Sequence, residues 1–461
     1  MSTDQRKLFG TDGIRGVAGQ YPLDRKTTTI IGQALGHYLI QKNKRAQVVI
    51  GEDTRESSRW IAECVAAGLA HSAVPANNAG VITTPGVAFL ARTQEFDAGI
   101  VISASHNPWT DNGIKIFGHD GYKLSDSAEL EIEREIFALL EKPGSAAPAA
   151  SALEDAAGLH TSYVNWLKQQ VNLRQINRKM DEKTRRMKVV FDSANGAASQ
   201  IAAEVFAAVG CDAVFIHHTP DGRNINEGCG ALHPELVARE VLDENAELGV
   251  TFDGDADRSL FADHHGNVVN GDAVLLLTAR NMQSQGKLTG NVVVATTMSN
   301  MGLEIALQRA GIRMLRAPVG DKYVLEEMLR SGAVLGGEQS GHIIFRDGDA
   351  TTGDGLLTAL RVIEIIANSG KTLAELVADL KVFPQTIKNV RVREKKPFSE
   401  VPEVASSIAQ AESDLQGNGR VVVRYSGTEA LVRVMVEAES EEKMKKWTDA
   451  IATALQTTLG A

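Results

Sequence analysis

The sequence contains few cysteines, no long hydrophobic run and no excess of positive charge. Its three cysteines, Cys64, Cys211 and Cys229, include no CxxC pair and provide no disulfide framework, which favours a reducing compartment and buried, inert thiols. The N-terminal residues are polar, and no stretch approaches the ~18–20 apolar residues that a membrane span needs. These absences predict a cytoplasmic protein with no secretory signal and no membrane partner.

The chain is acidic, with 48 lysines and arginines against 58 aspartates and glutamates and a formal net charge of −10. Proteins that bind nucleic acid or anionic membranes usually present clustered basic charge, so this balance argues against both partners. Hydrophobic residues make up 43% and charged residues 23%, a globular composition that excludes a mostly disordered or fibrous chain. A length of 461 residues, about three times the ~150 usual for one domain, predicts several domains.

Three segments of the chain share one pattern, a β-branched run followed by a polar loop and a helix-like stretch. These runs begin at Val48, Val189 and Val292. Later in each segment a second short apolar run stops before Ser103, Asp253 or Glu338. Continuous apolar runs alternating with helices are typical of strands buried on both faces in α/β layers, and ligands collect at the carboxyl ends of such strands. The three polar loops are therefore predicted to face one cleft.

The predicted fold class is α/β, with three related α/β domains that have mixed sheets and a smaller C-terminal α+β domain. The segment Pro143–Ser151 is small, uncharged and interrupted by proline, which is typical of a linker after the first domain. The predicted domains are 1–150 with a serine loop, 151–259 with a metal loop, 260–375 with a sugar loop and 376–461 with a phosphate-binding turn.

The strongest local signal is the loop Asp253–Arg258, which places three carboxylates at alternate positions directly after an apolar run. In an extended chain these carboxylates point to one side, and they repel one another without a cation. The spacing indicates a divalent metal with oxygen ligands, usually Mg²⁺. An EF-hand would need Gly and Glu where Arg258 and His264 stand, and a dehalogenase-type phosphatase needs Thr or Val in place of Asp257. A solvated acidic turn is the structural alternative.

Three further loops carry side chains suited to phosphate and sugar chemistry. Ser103–Pro108 offers serines that could be nucleophiles or turn formers, and Lys115 could be a proton shuttle, a phosphate clamp or a surface lysine. Gly336–His342 suits sugar hydroxyls and an amine, or is a tight turn. The turn Arg424–Glu429, with Arg433, suits a phosphate dianion, or is a plain hairpin. Together the loops describe transfer of phosphate to and from a phosphosugar.

From Phe9 to about Glu437 the chain resembles the α-D-phosphohexomutase superfamily, and most closely its bacterial glucosamine-phosphate branch. The matching motifs are, in order, FGTDGIRG (Phe9–Gly16), TTPGVAFL (Thr83–Leu90), SASHNP (Ser103–Pro108), DNGIKIFG (Asp111–Gly118), TFDGDADR (Thr251–Arg258), GEQSGH (Gly337–His342), TTGDG (Thr351–Gly355) and RYSGTEALVRVMVE (Arg424–Glu437). Gln339 favours the glucosamine branch, because phosphomannomutase/phosphoglucomutases tend to have Met there. Ala430 departs from the family's usual Pro.

The resemblance implies four domains around a central cleft and the interconversion of glucosamine 6-phosphate and glucosamine 1-phosphate, a step that supplies UDP-N-acetylglucosamine synthesis. It implies that Ser105, directly before the histidine of its motif, is the phosphorylated residue. The phosphoryl group would pass through a sugar 1,6-bisphosphate, which also serves as activator. One Mg²⁺ per subunit would be held by Ser105, Asp253, Asp255 and Asp257. The sequence is compatible with a homodimer.

The same resemblance assigns roles to the remaining motif residues. Arg15, Lys115 and His342 would act beside Ser105 at the reacting centre. Substrate would be bound by Arg258, Glu338, Ser340, Arg424, Ser426, Gly427, Thr428 and Arg433, the last five holding the phosphate that is not reacting. The alternatives are the same chemistry on glucose or mannose phosphates, a non-catalytic phosphosugar-binding regulator, and a phosphatase. Intact serine and metal loops argue against the regulator.

Overall fold

The computed structural model describes residues 6–10, 12–142, 153–172, 176, 186–426 and 430–460. The chain forms two compact units, one of Met1–Thr297 and Leu315–Val377 and the other of Met298–Met314 and Ala378–Ala461. The predicted linker Pro143–Ser151 lies outside the described residues. The described residues form four sheets.

The first sheet has seven strands in the order β1-β2-β6-β5-β3-β4-β7. Its strands are β1 Phe9–Gly10, β2 Gly13–Val17, β3 Val48–Glu52, β4 Ala76–Val81, β5 Ala98–Ile102, β6 Asp111–Gly118 and β7 Leu153–Asp155. The accompanying helices are α1 Arg25–Lys42, α2 Ser58–Ala70, α3 Thr84–Thr93 and α4 Asp126–Leu140. Strand β3 pairs in parallel with β4 and β5, and β6 pairs antiparallel with β2 and β5. Every residue of β3 and β5 is buried, as predicted for strands covered on both faces.

The second sheet has the order β12-β11-β10-β8-β9 and is also mixed. Its strands are β8 Lys188–Asp192, β9 Asp212–Ile216, β10 Leu248–Phe252, β11 Ser259–Asp263 and β12 Val268–Val269. Its helices are α5 Leu159–Gln169, α6 Ala198–Val209 and α7 Pro234–Asp243. Strand β8 pairs in parallel with β9 and β10, whereas β11 pairs antiparallel with β10 and β12.

The third sheet has the order β14-β13-β15-β16. Its strands are β13 Val292–Thr296, β14 Arg313–Ala317, β15 Leu335–Gly337 and β16 Ile343–Phe345. The helices of this part of the chain are α8 Gly271–Ser284, α9 Met301–Arg309, α10 Asp321–Ser331, α11 Gly355–Ser369 and α12 Leu373–Val377. Strand β13 is parallel to β15, which turns back antiparallel into β16. Helix α9 is part of the second compact unit.

The second unit contains a three-stranded antiparallel sheet in the order β17-β19-β18. Its strands are β17 Gln385–Arg391, β18 Gly419–Tyr425 and β19 Leu431–Ala438, and its helices after α12 are α13 Pro402–Leu415 and α14 Glu441–Leu459. The side chain of Ser440 caps α14 by accepting a hydrogen bond from the backbone N–H of Lys443. Apolar side chains of both helices pack with those of the sheet in one core.

The predicted fold class is confirmed, with three mixed α/β sheets followed by a smaller antiparallel sheet with helices. The predicted repeat is real, because its paired apolar runs form the parallel neighbours β3–β5, β8–β10 and β13–β15. The division at residues 150, 259 and 375 stays a prediction, while Leu153–Asp155 pairs with the first sheet and Ser259–Val269 with the second. Among the described residues, no helix combines the length and hydrophobicity needed to cross a bilayer.

Candidate active site

The loops that follow β5, β10 and β15 meet at one cavity of about 410 Å³ in the first unit. The polar side chains that line it are those of Asp12, Arg15, His106, Asp257, Arg258, Asp321, Glu338 and His342. Parallel neighbouring strands end at the same edge of a sheet, so each sheet contributes its carboxyl end to this space. The predicted shared cleft of the three loops is therefore present in this unit.

The three aspartates after β10 form a buried group of oxygen ligands. One carboxylate oxygen each from Asp253, Asp255 and Asp257 lies within 4.8 Å of the other two. Ala256 adopts a left-handed conformation with φ of 54°, and its N–H donates to the carbonyl of Asp253 at 3.0 Å, which curls the loop. Within the described residues, Asp255 Oδ1 and Asp257 Oδ1 are buried without hydrogen-bond partners. Orphaned carboxylate oxygens in an all-oxygen set fit a hard divalent cation.

The neighbouring charges have opposite effects on the pKa values of two carboxyl groups in this loop. Burial raises the pKa of Asp253 well above its usual range, and the neighbouring charges of Asp257 and Asp255 raise it further. Burial also acts on Asp257, but Lys115, His342 and Arg258 outweigh it and lower the pKa of that carboxyl. A bound cation would compensate the repulsion that Asp253 feels.

Ser105 and Ser103 occupy different environments, although both follow β5. Ser105 is 1% exposed, and its Oγ donates to Asp253 Oδ2 at 2.6 Å, so its hydroxyl points at the metal loop. Ser103 Oγ instead donates to Asp53 Oδ2 at 2.7 Å and accepts from the backbone N–H of Ser105 at 2.9 Å. Ser103 therefore supports the loop, and Ser105 is the serine next to the aspartates.

Two buried side chains hold the backbone on either side of the Ser105 hydroxyl. Arg55 is 3% exposed, and its Nη2 donates to the carbonyls of Ser105 and Asn107, both at 2.9 Å. Asn226, from the loop before α7, donates to the same two carbonyls at 2.9 and 3.2 Å. Asp53 fixes the guanidinium of Arg55 by accepting from Nε at 2.9 Å. The loop, whose serine has φ of 54°, is thus held by side chains from the loops that follow β3 and β9.

Lys115 on β6 is buried among carboxylates. Its Nζ lies 2.8 Å from Asp255 Oδ2, 3.0 Å from Asp12 Oδ2 and 3.8 Å from Asp257 Oδ2. Burial opposes the charged form, but these three carboxylates outweigh burial and raise the pKa of Lys115. The side chain is accordingly a fixed cation. Arg15 also pairs with Asp12, and its Nη1 donates to Asn107 Oδ1 at 3.4 Å.

The hairpin between β15 and β16 positions Glu338, Ser340 and His342. His342 Nε2 accepts from the backbone N–H of Gly353 at 3.0 Å, which leaves the ring proton on Nδ1, 3.6 Å from Asp257 Oδ2. Glu338 Oε1 accepts from the backbone N–H of Gly320 at 3.0 Å. Ser340 is half-buried in the same hairpin.

Arg258 lines the cavity, and Lys123, a residue outside the matched motifs, binds two of the acidic side chains that line it. Arg258 Nε is 3.8 Å from Asp257 Oδ1, and its backbone N–H donates to Asp253 Oδ1 at 3.2 Å. Lys123 Nζ bridges Asp12 and Asp321, with 2.6 Å to Asp321 Oδ2. The cavity is therefore lined by both acidic and basic side chains.

The remaining predicted residues belong to the second unit. Arg424 on β18 and Arg433 on β19 stand directly opposite each other in the antiparallel register. Ser426 is buried, its N–H donates to the carbonyl of Leu431 at 2.8 Å, and its own carbonyl accepts from Lys395 Nζ at 2.6 Å. Gly427 and Thr428 lie outside the described residues. Two guanidinium groups thus flank the turn between β18 and β19.

Comparison with known proteins agrees with this arrangement. Four phosphoglucomutase/phosphomannomutase family models match the chain, α/β/α domain I at 6–142, domain II at 161–266, domain III at 270–383 and the C-terminal domain at 387–454. A phosphoglucosamine mutase from Koribacter versatilis is 59% identical over 465 residues, which cover 100% of this chain and 99% of that protein. Another from Solibacter usitatus is 52% identical, with 99% of each chain covered.

The chain belongs to the phosphoglucosamine mutase family. It is accordingly a mutase, an isomerase of the phosphohexomutase type. A solved phosphoglucomutase/phosphomannomutase family protein from Burkholderia thailandensis has the same fold, with a TM-score of 0.79, 24% identity and coverage of 98% of this chain and 97% of that one.

Several residues around the candidate site had no assigned role in the sequence interpretation. Asp12 and Thr84 lie inside matched motifs, and Thr84 N–H donates to the carbonyl of Asp255 at 3.0 Å. Asp53 follows the buried strand β3, a position where the repeat places polar loops. Lys123 and Asp321 carry no comparable signal, because their partners are distant in the chain.

Proposed function

We propose that the chain interconverts glucosamine 6-phosphate and glucosamine 1-phosphate and so supplies UDP-N-acetylglucosamine synthesis. The observation that carries the proposal is the 2.6 Å contact of Ser105 Oγ with Asp253, which sets one buried hydroxyl against a cation-binding loop. Identity of 59% over the whole chain to a phosphoglucosamine mutase supports the substrate. Positioning and charge neutralisation are what phosphoryl transfer requires of a protein.

The proposed reaction has two transfers. A sugar hydroxyl attacks the phosphorus of phosphorylated Ser105; the new O–P bond forms as the Oγ–P bond breaks, and the hydroxyl proton is released. The product is a sugar 1,6-bisphosphate, which turns over in the cavity. Ser105 Oγ then attacks the other phosphate, which leaves the isomerised sugar phosphate and a phosphorylated enzyme. Added bisphosphate activates unphosphorylated enzyme by this second step.

We assign one Mg²⁺ per subunit to Asp253, Asp255, Asp257 and the phosphate of Ser105. The orphaned oxygens of Asp255 and Asp257 support this assignment. The ion, when bound, neutralises charge on the transferring phosphoryl group. Lys115 supplements it as a fixed cation that clamps phosphate, the role that its ion pairs favour over proton shuttling.

The other residues are proposed to orient the sugar phosphate. Arg15 and His342 act at the reacting phosphoryl group, where Arg15 supplies charge and His342 stands beside the metal ligand Asp257. Arg258, Glu338 and Ser340 bind substrate, the last two through its hydroxyls. The phosphate that is not reacting is held by Arg424, Ser426, Gly427, Thr428 and Arg433. Guanidinium forks beside a Ser-Gly-Thr turn are suited to a phosphate dianion. A cytoplasmic location and a homodimer remain part of the same proposal.

A coupled assay for glucosamine 1-phosphate, run with Mg²⁺ and catalytic bisphosphate, tests the function. Turnover of glucosamine 6-phosphate well above that of glucose 6-phosphate and mannose 6-phosphate is expected. Efficient use of the hexose phosphates with no glucosamine turnover would reassign the chain to the phosphomannomutase/phosphoglucomutase chemistry. Release of inorganic phosphate without isomerisation would make it a phosphatase.

A further inference from the structure

A second cluster of metal-ligating side chains lies in the second sheet of the first unit. Asp192 ends β8, His217 follows β9, and Cys229 stands in the loop before α7. A carboxylate oxygen, a ring nitrogen and the sulfur of these residues all lie within 4.8 Å of one another. None of the three lines the catalytic cavity, and the proposed reaction uses none of them.

Two of the three side chains in the cluster are buried, and the third is partly exposed to solvent. Asp192 and Cys229 are fully buried, whereas the His217 side chain is 35% exposed. The backbone N–H groups of Ala194 and Gly230 each donate to one carboxylate oxygen of Asp192 at 2.9 Å, which fixes its orientation. His217 Nδ1 lies 3.2 Å from Asp192 Oδ1, a contact that brings two donor atoms of the cluster together. A carboxylate oxygen, an imidazole nitrogen and a sulfur therefore lie within reach of a single cation.

The surroundings are negative, which favours a cation over a reactive thiol. Burial raises the pKa of Cys229 to about 12, and the charges of Asp192 and Glu227 contribute to that rise. A fully buried thiol that resists ionisation is a poor nucleophile. A divalent cation at the same place would stabilise its thiolate form.

We propose that Asp192, His217 and Cys229 form a second metal site, which binds Zn²⁺ or a similar borderline divalent cation. Mixed oxygen, nitrogen and sulfur donors select such ions, whereas the all-oxygen aspartate loop selects a hard cation. Binding forms one bond to each donor atom and releases the thiol proton of Cys229 to solvent. Three protein ligands leave the fourth tetrahedral position for water. The proposal does not rest on the proposed reaction.

The site has a structural consequence for the catalytic serine. Asn226, which holds the carbonyls of Ser105 and Asn107, lies three residues before Cys229. A cation that joins Cys229 to the ends of β8 and β9 would fix the loop that carries Asn226. Bound metal is therefore expected to raise the melting temperature of the whole chain.

Titration of the reduced full-length chain with Co²⁺, in excess Mg²⁺ that fills the aspartate loop, tests the site. The wild type is expected to develop a near-ultraviolet thiolate-to-cobalt absorption band that saturates at one equivalent. Cys229→Ser should abolish the band, and the matched variants Cys64→Ser and Cys211→Ser should keep it. A missing band in the wild type, or a band that survives in Cys229→Ser, overturns the proposal.

Variants of the half-exposed histidine give a second measurement that does not depend on a buried substitution. His217 has φ of 44°, a left-handed conformation that Asn tolerates, so His217→Asn is expected to fold. Its Co²⁺ affinity should fall by about tenfold or more, while the neighbouring His218→Asn keeps the wild-type affinity. Equal affinity of His217→Asn and wild type shows that His217 is not a ligand and overturns the three-residue site.

Discussion

The loop after β5 and the turn between β18 and β19 are both proposed to handle phosphate, yet they are built differently. In the first, Ser105 is buried and its flanking backbone is held by Arg55 and Asn226. In the second, Arg424 is exposed and stands opposite Arg433 on the neighbouring strand. A side chain that forms and breaks bonds needs a fixed position. A side chain that only binds a phosphate needs a positive charge and enough length to reach it. Substitutions in the loop after β5 are therefore expected to change mainly kcat, and substitutions beside the turn between β18 and β19 mainly KM.

Removal of the serine hydroxyl should have the largest effect. Ser105→Ala is expected to lower kcat by about 10⁴-fold or more, because no oxygen remains to carry the phosphoryl group. Ser103→Ala is the matched control, since it keeps the Ser105 oxygen and loses only the hydrogen bonds that join Ser103 Oγ to Asp53 and to the backbone N–H of Ser105. The coupled assay measures kcat of both variants. A comparable loss of kcat in the two variants would contradict the assignment of the phosphoryl group to Ser105 rather than Ser103.

Substitution of Arg55, which holds the backbone around Ser105, should have the next largest effect. A lysine in Arg55→Lys cannot reproduce the planar group whose Nη2 donates to the carbonyls of Ser105 and Asn107 while Nε donates to Asp53, so kcat should fall by about 10–100-fold with KM almost unchanged. Arg59→Lys, which alters an exposed arginine paired with Glu63, should leave both constants unchanged. Steady-state kinetics separate the two constants. A rise in KM with normal kcat would place Arg55 in substrate binding instead.

The exposed Arg424 should respond differently, with a change mainly in KM rather than in kcat. Arg424→Ala is expected to raise KM by about tenfold or more, because a charge-assisted hydrogen bond to phosphate is lost, with a smaller change in kcat. Like charges directly opposite on paired strands are destabilising, so the variant should not melt earlier than the wild type. Arg391→Ala, on the exposed edge strand β17, is the control. A KM equal to that of the wild type would remove Arg424 from the phosphate grip.

The smallest effect is expected from the ionisation of Asp354, a buried carboxyl in the first unit. It should change the stability of the chain and not its kinetic constants. Burial raises the pKa of Asp354, the N-cap of α11, to about 6. The folded chain therefore binds this proton more tightly than the unfolded chain. The resulting stability is fully present below the ordinary pKa near 3.8 and is lost as the pH rises through about 6. Between pH 4 and 7 the loss should reach about 2–3 kcal/mol.

Chemical unfolding at several pH values measures this contribution. The pH-dependent loss should disappear in Asp354→Asn and persist in Asp349→Asn, which changes a half-exposed carboxylate. An identical pH dependence in wild type and Asp354→Asn would show that the carboxyl is ionised in the folded chain throughout this range.

The sequence predicts those features that depend on short stretches of chain. The buried strands and the aspartate loop follow from apolar runs and from the spacing of Asp253, Asp255 and Asp257, which are local properties. The residues alone left Ser103 and Ser105 undistinguished, and only the contacts with Asp53 and Asp253 separate them. Those contacts depend on how strands from different sheets are arranged.

The residues that support the site could not be predicted from the sequence for the same reason. Lys123 and its partner Asp321 are 198 positions apart, and Asn226 is 121 positions from Ser105. Pairs at such separations meet only when whole domains pack together, and no local periodicity reports that packing. Asp53 and Arg55 are intermediate cases, because they follow a predicted strand but their partners lie in another loop.

The most direct test of the central claim is to locate the phosphoryl group on the protein. The chain is incubated with Mg²⁺ and glucosamine 1,6-bisphosphate, and fragment masses of the peptide that contains both serines locate the modification. The account predicts one phosphoryl group on Ser105, which is lost when glucosamine 6-phosphate is added in excess. A phosphoryl group on Ser103, or full turnover by a chain that never carries one, would contradict it.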